Sequence, residues 1–367
     1  MMKIGIITIT EGENLGNRLQ NYAVQEYIKK EKNAVVETIH NYRNEKILKY
    51  KINKIKRNIK IYIKIIIGYK RKENYNLIKR IKNFNKFNKK NVQFSKYSIS
   101  NSEINTKINK YYDYFICGSD QIWNSNFSEN SYVNFLQFAD KEKRIAFAPS
   151  FGTDEVNKKM VDNYTRWLKE IPHLSVREDR GKEIIKELTG REDTQVLVDP
   201  TMLLTADDWT KMAKKPEQLQ TDKFILNYFL GELSEERKNE INRIAKENGC
   251  EVINIMDKNS PYYSSGPSEF LYLEKNAFLI CTDSFHSSVF AILFGRPFIV
   301  FDREDSWAKM NSRLETLLKK FKLEDRWYKD KITKELLEAD YNNAYEILEE
   351  ERGKAKKFID MALSNKY

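Results

Sequence analysis

Ala277-Phe-Leu-Ile-Cys-Thr-Asp-Ser-Phe-His-Ser-Ser-Val-Phe-Ala-Ile-Leu-Phe294 reads as a buried strand, a polar turn and a buried helix in direct succession. Its first six residues form the unbroken apolar run of a parallel strand covered on both faces. Val289 to Phe294 continue as an apolar helix, stopped by Gly295 and Pro297. His286, one of only three histidines, therefore stands at a strand-to-helix junction. A helix N-terminus offers unpaired N–H groups and partial positive charge, both suited to an anion. Imidazole gives or takes a proton near neutral pH, and open α/β sheets bind ligands at such strand ends. A capping or core histidine is the competing reading.

The same alternation extends along the chain. Lys3 to Ile9 reads as a strand, Glu11 to Gly16 as a loop and Asn17 to Lys30 as a helix, a Rossmann-like opening. The loop lacks both G-x-G-x-x-G and G-x-x-x-x-G-K-[ST], so neither a dinucleotide nor a P-loop nucleotide is indicated. Further strands are expected at Ala34 to Ile39, Tyr112 to Cys117, Arg144 to Phe151, His173 to Arg177 and from Gln195 with a stop at Pro200, with a helix at 179–189. A second series follows: strands at 223–229, 251–256, 277–282 and 297–301, and helices at 234–248, 267–276, 286–294 and 309–321. Two βα units in tandem with a cleft between them are the expected architecture. The first domain covers residues 1–205 with a basic helical insertion at about 43–110, and the second covers 206–330 and carries the His286 helix. Residues 331–367 read as a helical segment that packs back on the first domain.

A chain of 367 residues, 41% of them apolar, suffices for two cores. It contains no apolar run of 18 residues and its start is too short for a signal segment, so a cytoplasmic location is expected. Cys117, Cys250 and Cys281 lie far apart without metal-ligand spacing and read as reduced core residues; no metal is expected. The net charge of +11 is uneven. Residues 46–90 hold 17 Lys or Arg against the single acid Glu73, a local +16 that leaves −5 for the rest of the chain. In that segment Leu48, Ile52, Ile55, Ile59, Tyr62 and Ile66 recur at helical spacing with lysines on the other faces. Two readings stay open: an amphipathic helix on an anionic membrane surface, or an insertion whose apolar stripe packs on the domain. No nucleic-acid-binding module accompanies the charge, so nucleic acid is not an expected partner.

Strand ends gather four polar clusters: Asn17-Arg18-Leu-Gln20-Asn21, Ser119-Asp120-Gln121, Arg177-Glu178 and Ser284-Phe-His286-Ser287. Asn311-Ser-Arg313 begins a late helix. Arg18, Arg177 and Arg313 suit a carboxylate and a phosphate, and His286 with Asp120 suits proton transfer; an arginine at a strand end, taken alone, is more often a surface ion pair.

Six stretches in order resemble the polysaccharide pyruvyl transferase family. They are Gly16-Asn-Arg-Leu-Gln-Asn-Tyr-Ala23, Phe115-Ile-Cys-Gly-Ser-Asp-Gln-Ile-Trp-Asn124, Ala148-Pro-Ser-Phe-Gly152, Leu174-Ser-Val-Arg-Glu178, Val198-Asp-Pro-Thr201 and Cys281-Thr-Asp-Ser-Phe-His-Ser287. The resemblance implies a GT-B-like α/β fold of two Rossmann-type domains. It also implies transfer of a pyruvyl group from phosphoenolpyruvate to sugar hydroxyls, forming a cyclic ketal in bacterial surface polysaccharide. By it Arg177 is a phosphoenolpyruvate contact and His286 the acid or base. Better-known members carry an arginine where this chain has Ser284, and Arg313 is the candidate replacement. The expected site then has His286, Arg177 and Asp120 as catalytic residues. Arg177, Ser284, His286, Ser287 and Arg313 bind the donor, and Asn17, Arg18, Gln20, Ser119 and Gln121 bind the acceptor. Phosphoenolpyruvate is a co-substrate and no cofactor is expected. The sugar acceptor is lipid-linked or nucleotide-linked, and the basic helix at 46–66 brings the enzyme to the inner membrane face. The alternatives are a GT-B glycosyltransferase using a nucleotide sugar and a non-catalytic homologue that binds membrane or polysaccharide.

Overall fold

Strands apolar on both faces need cover on both faces, and strand–helix–strand connections deliver parallel neighbours. The computed structural model, which describes residues 1–42, 45–127, 132–303 and 312–364, contains two such sheets. The first is built from β1 (Lys3–Ile7), β2 (Val35–Asn41), β3 (Phe94–Ile99), β4 (Tyr114–Cys117), β5 (Arg144–Ala146), β6 (His173–Val176) and β7 (Gln195–Val196). Its order is β3-β2-β1-β4-β5-β6-β7, parallel throughout. The second holds β8 (Phe224–Tyr228), β9 (Glu251–Asn254), β10 (Leu279–Thr282) and β11 (Phe298–Val300) in the order β11-β10-β8-β9, again parallel. Strand order reverses between β1 and β4 in one sheet and between β8 and β10 in the other. Those reversals open the crevices in which α/β sheets bind ligands. The fold is α/β, with two Rossmann-like parallel sheets.

In chain order the helices are α1 (Leu15–Lys32), α2 (Ile47–Ile66), α3 (Arg71–Asn91), α4 (Lys107–Tyr111), α5 (Val161–Lys169) and α6 (Asp179–Thr189). They continue with α7 (Ala206–Thr210), α8 (Glu235–Asn248), α9 (Pro267–Asn276), α10 (Phe285–Phe294), α11 (Ser312–Phe321) and α12 (Asn342–Ala362). Local chemistry sets their ends. Asn14 caps α1 by accepting the Asn17 amide at 2.9 Å, and α10 stops at Gly295, whose φ of 63° needs no Cβ.

Residues cluster into two compact units. One comprises Met1–Arg57, Asn88–Leu203 and Glu349–Tyr367, and the other Asn58–Phe87 and Leu204–Leu348. The sequence placed 58–87 in an insertion of the first domain, but α3 is fastened within the second unit. Asn76 donates to the carbonyls of Lys258 and Ser260 at 2.9 and 3.0 Å, Arg80 to that of Tyr263 at 2.9 Å, and Asn83 to that of Ser264 at 2.9 Å. Within the first unit the end of α12 lies against α1 and the residue after β5, where Phe358 stacks on Phe147 at 6.1 Å and Asp360 pairs with Lys32 at 2.6 Å.

Several expectations are corrected. The insertion spanning about 43–110 contains β3, an outer strand of the first sheet. The strand expected over Arg144 to Phe151 ends at Ala146, because Ala148 adopts φ 49° and Pro149 has no amide to donate. The strand expected to run from Gln195 to a stop at Pro200 already ends at Val196, and Pro200–Leu203 forms a 3-10 turn. The expected helix over 332–363 begins at Asn342, apart from a short 3-10 turn at Glu335–Leu337. Asn311 and the start of the helix expected from 309 lie outside the described residues.

The basic stretch does form a helix, α2, but its apolar stripe does not pack on the domain. Leu48, Ile52, Ile55, Ile59, Tyr62 and Ile66 are 42–82% exposed. Ile61, on another face, is buried and packs with Ile78 and Ile81 of α3.

Candidate active site

In the first unit, the residues after β1, β4, β6 and β7 meet at the crevice where strand order reverses. Arg177 lies at its centre, 3% exposed, ion-paired to Asp199 through one guanidinium nitrogen and 3.6 Å from Asp120 through another. Burial alone would lower the Arg177 pKa, but Asp199, Asp120 and Glu178 hold it above its ordinary value. Asp199 is itself tied down, accepting from the amide and hydroxyl of Thr201 at 2.9 and 2.7 Å, with the Ser119 hydroxyl 3.1 Å away. Asp120 accepts from the Asn17 amide group at 3.0 Å and from the Gln121 backbone at 2.8 Å, with φ at 65°. A left-handed non-glycine residue held this way is a frequent sign of a functional position. Gln20 donates to Thr8 and accepts the Ser119 amide, both at 3.0 Å. Glu178 accepts from the Ser150 hydroxyl and the Phe151 and Gly152 amides at 3.0, 2.7 and 3.2 Å, fixing the turn after β5. Gly118 adopts φ 118°, and a Cβ there would lie 2.4 Å from the Phe147 carbonyl oxygen, so only glycine brings β4 into this turn.

Arg18 departs from expectation. It is 1% exposed and its guanidinium donates to the carbonyls of Thr10 and Gly12, both at 3.0 Å. It therefore braces the β1–α1 loop and offers no face to an acceptor. Burial lowers its pKa to about 10 against the opposing pull of Glu13 and Glu11.

In the second unit, Asp283 bridges the crevice where strand order reverses. Its carboxylate accepts the amides of Leu230 and Gly231, beyond β8, at 2.7 and 2.8 Å, and pairs with Arg303 at 3.2 Å. Ser284 follows at the N-cap of α10, and among the described residues its side chain makes no capping bond. Its amide donates to Thr282 at 2.9 Å. His286 is 6% exposed and meets the Phe285 ring edge-on at 5.4 Å. The Arg313 guanidinium lies 5.9 Å from the centre of that same Phe285 ring. Ser287 turns the other way: it is fully buried and donates to Glu274 at 2.6 Å. Burial pushes the Glu274 carboxyl well above its ordinary value, with the Ser287 hydroxyl opposing.

The first unit thus joins Asn17, Gln20, Ser119, Asp120, Gln121 and Arg177 in one network, and the second joins Ser284, His286 and Arg313 at one helix start. Ser287, expected at the donor, belongs to the core. Asp199, Glu178 and Asp283 lie within the family-like stretches but had no role assigned from sequence, and Arg303 and Glu274 were not singled out. For Glu178, Asp199, Asp283 and Arg303 the signal was a charged residue within three positions of a strand end, whereas Glu274 lies inside α9 and carried none. Among the described residues there is no group of three His, Cys, Asp or Glu side chains able to hold a metal ion.

Residues 14–306 match the family model of polysaccharide pyruvyl transferases. The chain belongs to that family. The match spans both crevices. No curated protein matches the chain. Among solved structures, the chain is similar to UDP-GlcNAc 2-epimerase of Methanocaldococcus jannaschii in complex with UDP-GlcNAc and UDP, at 17% identity, 99% coverage of both chains and a TM-score of 0.47. It is also similar to the Neisseria meningitidis UDP-GlcNAc 2-epimerase bound to UDP-GlcNAc, at 11% identity, 99% coverage of this chain and 100% of that one, and a TM-score of 0.48.

Proposed function

We propose that this polysaccharide pyruvyl transferase moves the pyruvyl group of phosphoenolpyruvate onto two hydroxyls of a sugar, closing a cyclic ketal. The observation that carries the reading is the start of α10, where His286 stands in the first turn, Arg303 pairs with Asp283 just ahead of the helix and the Arg313 guanidinium lies 5.9 Å from the Phe285 ring. Phosphoenolpyruvate presents a phosphate and a carboxylate, and helix amides with bidentate arginines are the natural receptors for both. Arg313 takes the part of the arginine that Ser284 lacks. His286 delivers the proton that converts the donor methylene to a methyl group, making the adjacent carbon electrophilic. A sugar hydroxyl adds to that carbon and passes its proton to a base. Phosphate then departs with its bridging oxygen, and the second hydroxyl closes the ring.

Asp120 is the acceptor-side base in this reading, because it combines a fixed position with a carboxylate aimed by Asn17 and Gln121. Arg177, enclosed by carboxylates, acts through Asp120 as a positioning residue rather than by touching the donor. The acceptor is a lipid-linked or nucleotide-linked sugar, used on the cytoplasmic side at a membrane face. No described helix is long and apolar enough to cross that membrane, so attachment would be peripheral.

Calorimetric titration of the purified protein with phosphoenolpyruvate and with nucleotide sugars tests the donor, and phosphate release against a panel of sugars tests the transfer. Phosphoenolpyruvate should bind and be consumed only when an acceptor is present. Binding of a nucleotide sugar with no response to phosphoenolpyruvate would overturn the assignment.

A further inference from the structure

Helix α2 carries a surface that pyruvyl transfer does not use. At roughly 100° of rotation per residue, Leu48, Ile52, Ile55, Ile59, Ile63 and Ile66 fall within an arc of about 100°, with Tyr62 at its edge. All seven are between 42% and 82% exposed. The helix is held from another side, through Ile61 against Ile78 and Ile81, so the stripe is left outward. Ile67 and Tyr69, 70% and 54% exposed, extend it beyond the last turn.

The charge on α2 decides what covers the stripe. The helix holds six lysines and Arg57 with no acidic residue. The same rotation sets Lys49 and Lys56 along one border of the stripe and Lys51 along the other. A second copy of the chain would set this cationic helix against its equal. A nucleic acid would satisfy the lysines and leave the isoleucines in water. An anionic bilayer surface accepts both: apolar side chains enter the boundary between headgroups and acyl chains, tyrosines sit at that depth, and lysines reach up to phosphates.

We propose that α2 docks the protein flat on an anionic lipid surface, with its isoleucine stripe in the headgroup–acyl boundary and its lysines on lipid phosphates. The purpose, access to a lipid-linked acceptor, rests on the reading above; the binding itself needs no turnover.

The test sediments the full chain with vesicles of phosphatidylcholine alone and of phosphatidylcholine mixed with phosphatidylglycerol. Binding is expected to the mixed vesicles, weakening as salt screens the lysines. Ile55→Asn with Ile59→Asn should lower the partition constant by about tenfold or more. Lys49→Glu with Lys56→Glu should also lower it and flatten its salt dependence. These side chains are exposed, so circular dichroism should be unchanged in both variants, and phosphate release with a water-soluble acceptor should match wild type in the isoleucine variant. Failure of wild type to bind the mixed vesicles overturns the proposal, as does binding that the isoleucine variant retains in full. A solution dimer that the isoleucine variant dissolves, without vesicle binding, would assign the stripe to a second copy instead. Vesicle binding by a protein that ignores phosphoenolpyruvate would leave docking standing and remove the proposed reaction.

Discussion

The two crevices occupy equivalent places in their sheets and are furnished oppositely. In the first unit, three carboxylates, Asp120, Glu178 and Asp199, surround one arginine, and every one of them is held by backbone amides or neighbouring side chains. In the second, Asp283 holds the β8 loop amides and pairs with Arg303, and His286 and Arg313 lie at the same helix start. A cluster rich in fixed carboxylates orients hydroxyls and removes protons. A cluster rich in guanidinium groups at a helix N-terminus receives anions. On the proposed reading the same topology serves an acceptor in one unit and the donor in the other, distinguished by which charge the strand ends carry.

That contrast can be broken most forcefully at Asp199. Its replacement by Ala strands the Arg177 charge in the interior, so a loss of about 3–5 kcal/mol in denaturant-unfolding stability is expected, with activity falling alongside. His286→Ala probes the other crevice and should leave the melting curve near wild type while lowering kcat by about 10²–10⁴-fold, measured as phosphate release. Arg313→Ala sharpens the donor assignment: the KM for phosphoenolpyruvate should rise by about tenfold or more, with the KM for the sugar unchanged. A rise in the sugar KM instead would exchange the roles of the two crevices.

The smallest effect is expected at Glu274. Its folded pKa is raised, so the native state holds a proton that the unfolded chain releases above its ordinary pKa of 4.5. The stability it contributes is complete below that pH and is lost as pH rises toward the folded value. Glu274→Gln should flatten this decline, seen by urea unfolding across a pH series. An unaltered pH slope would mean that the buried acid is charged.

Both sheets were legible because their central strands are unbroken apolar runs, and α6 and α9 were placed to the residue by their flanking glycine and proline. β3 was not legible. Phe94-Ser-Lys-Tyr-Ser-Ile99 alternates with lysine and serine directly behind a lysine-rich helix, and its strand character depends on β2 lying beside it. In the site, residue types at strand ends were readable, but partners were not. Arg177 and Asp199 stand 22 positions apart and meet only because β6 and β7 are neighbours. His286 and Ser287 are adjacent in sequence, yet one helical step of roughly 100° turns the serine into the core. The motif could not separate them.

The side chains of Asn76, Arg80 and Asn83 answer backbone carbonyls across residues 258–264, a stretch nearly two hundred positions downstream. Trimming the chain back to remove the basic hairpin would orphan those oxygens, so a shortened version must stop before α3 or redesign the distant turn with it.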